Sequence, residues 1–127
     1  MTSTENTTGS SEYDLEDRTF AFAKEVRKFV DELPKSVITI EDGKQLVRAS
    51  GSVGANYVEA NEAVSKKDFH YRIKVARKEA KESKYWLRLL ESKSADTEIS
   101  RKELIEEATE LMKIFSSILI SSQDDSN

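Results

Sequence analysis

The sequence predicts an all-α fold, an up-down antiparallel four-helix bundle, and three observations carry the prediction. Lys66 to Lys93 runs for about eight helical turns without Gly or Pro. Four segments place apolar or small residues at alternating spacings of four and three, the signature of one buried stripe per helix. The breaks between them hold the punctuation expected of short connections, with Pro34 after the first segment and SKSADTE before the last.

Met1 to Glu12 is rich in Ser and Thr and has no apolar residue after Met1, so residues 1–12 are expected to form a disordered polar tail. The bundle is expected over residues 13–122, with a second polar tail at 123–127. The first helix is placed near 15–33, with Asp14 as a suitable N-cap and Leu15, Thr19, Phe22, Val26, Phe29 and Leu33 facing the core. Pro34 ends it, because proline disfavours the helical conformation in the residue before it.

The second helix is placed near 41–64, burying Leu46, Ser50, Val53, Tyr57, Ala60 and Val64. Gly51 and Gly54 lie inside it, each costing about 0.8 to 1 kcal/mol against alanine, so a close helix contact is expected to compensate. Those glycines share a flank with Val47 and Val58. Ser65 with Asp68 forms a capping box for the third helix, near 66–93, whose core stripe is Phe69, Ile73, Ala76, Ala80, Ser83, Leu87 and Leu90. Ser100 with Glu103 matches the same pattern and places the fourth helix near 101–122, carrying Leu104, Ala108, Leu111, Phe115 and Ile118.

Charge is abundant and segregated. Charged residues make up 35% of the 127-residue chain for a net charge of only -4. Lys66 to Lys93 nevertheless holds ten basic residues against four acidic, and from Asp96 onward the balance reverses. Lys67, His70, Lys74, Arg77, Lys81, Lys84 and Arg88 repeat the core rhythm one position later, which puts a basic stripe about 100° around the third helix. The stripe reads either as a solvated face neutralised by the acidic fourth helix, or as a surface for the phosphates of RNA or DNA. No base-reading motif and no aromatic platform is identifiable beside it.

Tyr71, Val75, Tyr85, Trp86 and Leu89 fall opposite the core. Either they lie flat on the surface or a second copy covers them, and two features favour a homo-oligomer: apolar groups on opposite sides of the third helix, and the paired glycines of the second. The expected interface is Val47, Gly51, Gly54 and Val58 with Tyr71, Val75, Tyr85, Trp86 and Leu89.

Enzyme chemistry finds no foothold in these residues. The single histidine, His70, sits within the basic stripe, the chain has no cysteine, and the expected core positions hold no carboxylate, so no catalytic residue, metal or cofactor is expected. Gly51-Ser52-Val53-Gly54 lacks the lysine and the strand-to-helix context of a phosphate loop. No apolar run approaches the roughly 18 to 20 residues that span a bilayer, and the amino terminus lacks a signal-peptide pattern, so a soluble, cytoplasmic chain with no membrane partner is expected.

The run from Gln45 to Ala60, QLVRASGSVGANYVEA, resembles the second-helix signature of the bacterial four-helix-bundle proteins encoded in 23S ribosomal RNA intervening sequences. Phe22-Ala23, Leu33-Pro34, Lys67-Asp68-Phe69 and the Ile73, Ala76, Glu82 pattern extend the resemblance over about residues 14–92. It implies a non-enzymatic up-down protomer assembled into a homopentameric ring. A related branch supplies the accessory protein of diversity-generating retroelements, a basic pentamer associated with nucleic acid and a reverse transcriptase. This chain departs from the family habit at Ala60, where glycine is common, and from that branch in its acidic net charge. The resemblance also marks Arg48, Asn56 and Glu59 as recurring polar positions, implying a structural network, with Glu79 or Glu82 of the third helix or across protomers, or a ligand site. The function expected is weak, sequence-independent binding of nucleic acid or a ribonucleoprotein through the third helix, with scaffolding of a partner protein as the alternative.

Overall fold

A computed structural model describes residues 11–126, with side chains described over 15–123. The chain forms four helices and, among the described residues, no strand: α1 (Ser11–Asp31), α2 (Val37–Asn61), α3 (Lys66–Leu89) and α4 (Ala95–Ser126). Each packs against its neighbour in sequence, α4 closes back onto α1, and the pairs α1/α3 and α2/α4 stay apart across the core. The contact between α2 and α3 is the most extensive and that between α1 and α4 the least.

The stripes predicted by periodicity form the core. Leu15, Thr19, Phe22, Val26, Phe29 and Leu33 are all buried, as are Leu46, Ser50, Val53, Tyr57 and Ala60 of α2 and Ile73, Ala76, Ala80, Ser83 and Leu87 of α3. From α4 come Leu104, Ala108, Leu111, Phe115 and Leu119, with Ile118 partly buried against them. The buried hydroxyls are satisfied within their own helices: Thr19 donates to the Glu16 carbonyl, Ser50 to Val47 and Ser83 to Glu79. A hydroxyl that bonds back to its own turn enters the core at little cost and occupies little space.

Glycines in α2 answer to α1. A Cβ at Gly54 would lie 2.9 Å from the Thr19 hydroxyl oxygen and 3.2 Å from its Cβ, and one at Gly43 would lie 3.0 Å from a methyl of Val30. The compensating contact expected for these glycines is therefore inside the protomer, and it requires no second molecule. Gly51 differs: its nearest neighbour is the guanidinium end of exposed Arg27, 3.2 Å from an added Cβ.

The element ends depart from the sequence reading. Ser11 and Glu12 open α1 and residues 123–126 continue α4, within the stretches expected to be polar tails; residues 1–10 lie outside the described residues. α2 starts at Val37, where Ser36 and Thr39 form a reciprocal capping box. Core periodicity cannot find that turn, because Val37 and Ile38 point to solvent. Val64, assigned to the core, is 97% exposed because α2 has already ended. α3 is capped by Ser65, whose hydroxyl accepts from the Asp68 N–H, one half of the expected capping box. Ser100 and Glu103 do not cap α4, which begins at Ala95 with the Thr97 N–H directed at the Ser94 hydroxyl.

One clamp holds the α3–α4 turn. Arg101 is only 9% exposed and donates from Nη1 to the Leu87 carbonyl at 2.9 Å, satisfying the end of α3, while its Nε donates to Glu98. The hydrogen bond from Arg101 holds the Glu98 carboxyl down at about 2.

Two predictions follow from this packing. Gly51→Ala should raise stability by about 0.5 to 1 kcal/mol, since Arg27 can swing aside, whereas Gly54→Ala should lower it by about 1 kcal/mol as Thr19 resists. Urea midpoints moving in opposite directions are the check. Glu98→Gln should lower stability at neutral pH. A carboxyl whose pKa is depressed on folding stabilises above its unfolded value and loses that contribution as pH falls, so the difference from wild type should vanish between about pH 4.5 and about pH 2.

Candidate nucleic-acid interface

The basic stripe follows from the α3 core. With Ile73, Ala76, Ala80, Ser83 and Leu87 turned inward, the next residue of each turn is rotated toward α4. His70 Nε2 lies 2.6 Å from the Ser122 hydroxyl, and Arg77 Nη1 donates to the Ser116 hydroxyl at 3.1 Å. Lys67, Lys74, Lys81 and Arg88 are exposed and Lys84 is half-buried. All seven residues thus fall along the α3–α4 side of the molecule, and two of them touch α4 through serine.

Four acidic residues of α4 have partners or settings away from the stripe. Glu107 accepts a two-point contact from Arg18 of α1, at 2.6 and 2.9 Å, and this hydrogen bond, with the charges of Glu107 and Glu110, raises the Arg18 pKa against the effect of burial. Glu103 and Glu107 line a hollow at the α1–α4 seam with Arg18 and Glu25. Glu110 pairs with Lys113 on its own helix, and Glu98 with Arg101. Among the residues described at side-chain level, no ion pair joins the stripe to α4. α4 meets the stripe with the hydroxyls of Ser116 and Ser122 and turns Glu103 and Glu107 to α1.

Lys78, off the stripe, sits 3.7 Å from Glu79 and 3.9 Å from Glu82. Burial and the neighbouring Glu82 push the Glu79 carboxyl up, while Lys78 and Arg48 pull it down. The four residues assigned to one polar network separate. Glu82 faces Lys78, Arg48 is exposed near Glu79, and Glu59 is exposed. Asn56 is the exception, accepting from Arg72 Nη1 at 3.1 Å and donating to the Ser52 carbonyl at 2.9 Å. Arg72 and Arg101 escaped the sequence reading. The Glu98-x-x-Arg101 spacing was the one available signal for the clamp.

The residues assigned to an oligomer interface lie on two surfaces. Gly51, Gly54 and Val58 line an α1–α2 hollow of about 270 Å³ beside exposed Phe20. Val47 lines a second, of about 400 Å³, with Val30, Leu33 and Ile40. On α3, Tyr71, Tyr85 and Leu89 are exposed, Val75 is half-buried, and Trp86 packs against the core with the Tyr85 ring edge-on at 5.1 Å.

Among the described residues, no group of three or more His, Asp or Glu side chains could hold a metal ion, and no helix is long and apolar enough to cross a membrane.

A solved structure similar to this one is the crystal structure of a protein of unknown function from the S23 ribosomal protein family of Bacteroides thetaiotaomicron VPI-5482. The two share 29% sequence identity with a TM-score of 0.73, over 87% of this chain and 98% of that one. Among curated proteins nothing matches the sequence significantly. The family described as 23S rRNA-intervening sequence protein matches residues 11–117, the whole of α1 to α3 and most of α4. The chain therefore belongs to the 23S rRNA-intervening sequence protein family.

Proposed function

We propose that this chain is a non-enzymatic, oligomeric, bacterial and cytoplasmic four-helix protein that binds nucleic acid, or a ribonucleoprotein partner, through the α3 stripe. The observation that carries the reading is the uncompensated charge. Lys67, Lys74, Lys81, Lys84 and Arg88 make no side-chain hydrogen bond or ion pair among the described residues, and the contacts of the stripe with α4 are those of His70 and Arg77 with serine hydroxyls. Phosphate oxygens satisfy such a row without any base-reading group, so binding is weak and independent of sequence.

The protomer is read as an up-down bundle. Contacts between successive helices run in opposite directions, with His70 on Ser122 and Arg77 on Ser116, and with Thr19 opposite Gly54 and Val30 opposite Gly43. For the assembly we take a homopentamer, with the α1–α2 hollows of one copy, lined by Val47, Gly51, Gly54 and Val58, meeting Val75 and Trp86 of the next; Tyr71, Tyr85 and Leu89, also expected in the interface, are taken to border it on the stripe side. Its support is the pairing of unfilled apolar hollows with an apolar strip on another side of the same protomer, the arrangement that closes a ring. A ring repeats the stripe in every copy and turns a local charge excess into an extended basic surface. The α1–α2 hollow of about 400 Å³ favours the second reading, in which it receives a partner protein and no nucleic acid binds.

RNA and DNA binding across a salt series separates the two readings, using wild type and a charge-reversal variant at Lys74, Arg77, Lys81 and Lys84. The logarithm of affinity should fall linearly with that of salt, more shallowly in the variant. Light scattering on both proteins should give a mass about five times that of the 14.4 kDa chain. Absence of binding at low salt, or superimposable curves, would leave the scaffold reading; a monomeric mass would remove the ring.

A further inference from the structure

We infer that the α3 surface is built for single-stranded nucleic acid, with Tyr71 and Tyr85 as stacking platforms for unpaired bases; this rests on the nucleic-acid reading above. Tyr71 lies four residues after Lys67 and three before Lys74, and Tyr85 stands in the same relation to Lys81 and Arg88. Residues three and four apart are surface neighbours on a helix, so each ring borders two stripe cations. The rings are 59% and 54% exposed. An aromatic platform does therefore flank the stripe, which linear inspection of the basic positions did not bring out.

Both rings are braced. The Arg72 guanidinium lies over Tyr71 at 5.7 Å from the ring centroid and is itself held by its bond to Asn56, which is tied to the Ser52 carbonyl. Tyr85 meets Trp86 edge-on at 5.1 Å, and Trp86 packs on the core. An exposed ring fixed by its neighbours loses little freedom when a base stacks on it. At 1.5 Å per residue the two tyrosines stand about 21 Å apart along the helix, so they receive bases several nucleotides apart while the strand between them passes Lys74 and Lys81. A duplex can use the cations but not the rings, because its bases are already stacked.

The test is fluorescence anisotropy at low salt with a labelled oligouridylate and a labelled duplex of the same length. The proteins are wild type, Tyr71→Ala/Tyr85→Ala and Tyr71→Phe/Tyr85→Phe, each checked for unchanged mass by sedimentation. Wild type should prefer the single strand. The alanine variant should lose roughly tenfold or more in single-strand affinity with duplex affinity unchanged, and the phenylalanine variant should retain wild-type binding. Equal single-strand binding by the alanine variant would overturn the inference and leave a phosphate-only surface. Dissociation of the assembly in the alanine variant would overturn it by placing the tyrosines between copies. Failure of wild type to bind either probe would remove the nucleic-acid reading itself.

Discussion

The close approach of α2 to both its neighbours is the constraint from which the rest of the molecule follows. On one side Gly43 and Gly54 admit Val30 and Thr19 of α1, where even one methyl group would collide. On the other, the small buried residues Ala49 and Ser50 of α2 and Ala76, Ala80 and Ser83 of α3 accompany the most extensive helix contact in the fold. Small residues give up apolar burial but let the backbones approach and gain many dispersion contacts. Phe22, Phe29 and Phe115 supply the largest fully buried side chains, and α2 and α3 add Leu46, Ile73 and Leu87. The inward face of α3 mixes the small Ala76, Ala80 and Ser83 with Ile73 and Leu87, and its cations and tyrosines lie on the remaining circumference.

α4 divides the electrostatics of the protomer. One side carries Glu103 and Glu107 toward α1, where Arg18 is held; the other offers Ser116 and Ser122 to α3. A net charge of -4 thus conceals a basic edge and an acidic edge on one small bundle.

The core was legible in the sequence because a 3.6-residue rhythm needs only the order of apolar and small residues. Leu15 through Leu33, and Ile73 through Leu90, were found without a false member. Element ends were less legible. Periodicity is silent where a first turn faces solvent, as at Val37 and Ile38, and a capping pattern such as Ser100 with Glu103 also occurs inside helices. The stripe was visible as spacing, but its freedom from compensation was not, since that depends on which way the α4 carboxylates turn. The polar grouping of Arg48, Asn56 and Glu59 was legible only as a shared helix side: within one protomer Arg48 acts on Glu79, and the arginine that engages Asn56 is Arg72. The bracing of Tyr71 through Arg72 and Asn56 joins positions 15 residues or more apart in the chain, beyond the reach of any local pattern.

The central claim is that the face of α3 bordering α4 is the surface that meets nucleic acid. Mapping amide chemical shifts of the assembled protein during titration with a short single-stranded oligonucleotide tests it most directly. The account predicts perturbations along Lys67 to Arg88 and at Ser116 and Ser122, with the α1–α4 seam around Glu103 and Glu107 unmoved. Shifts confined to the α1–α2 hollows around Val30, Ile40 and Val47, or to the acidic seam, would contradict it.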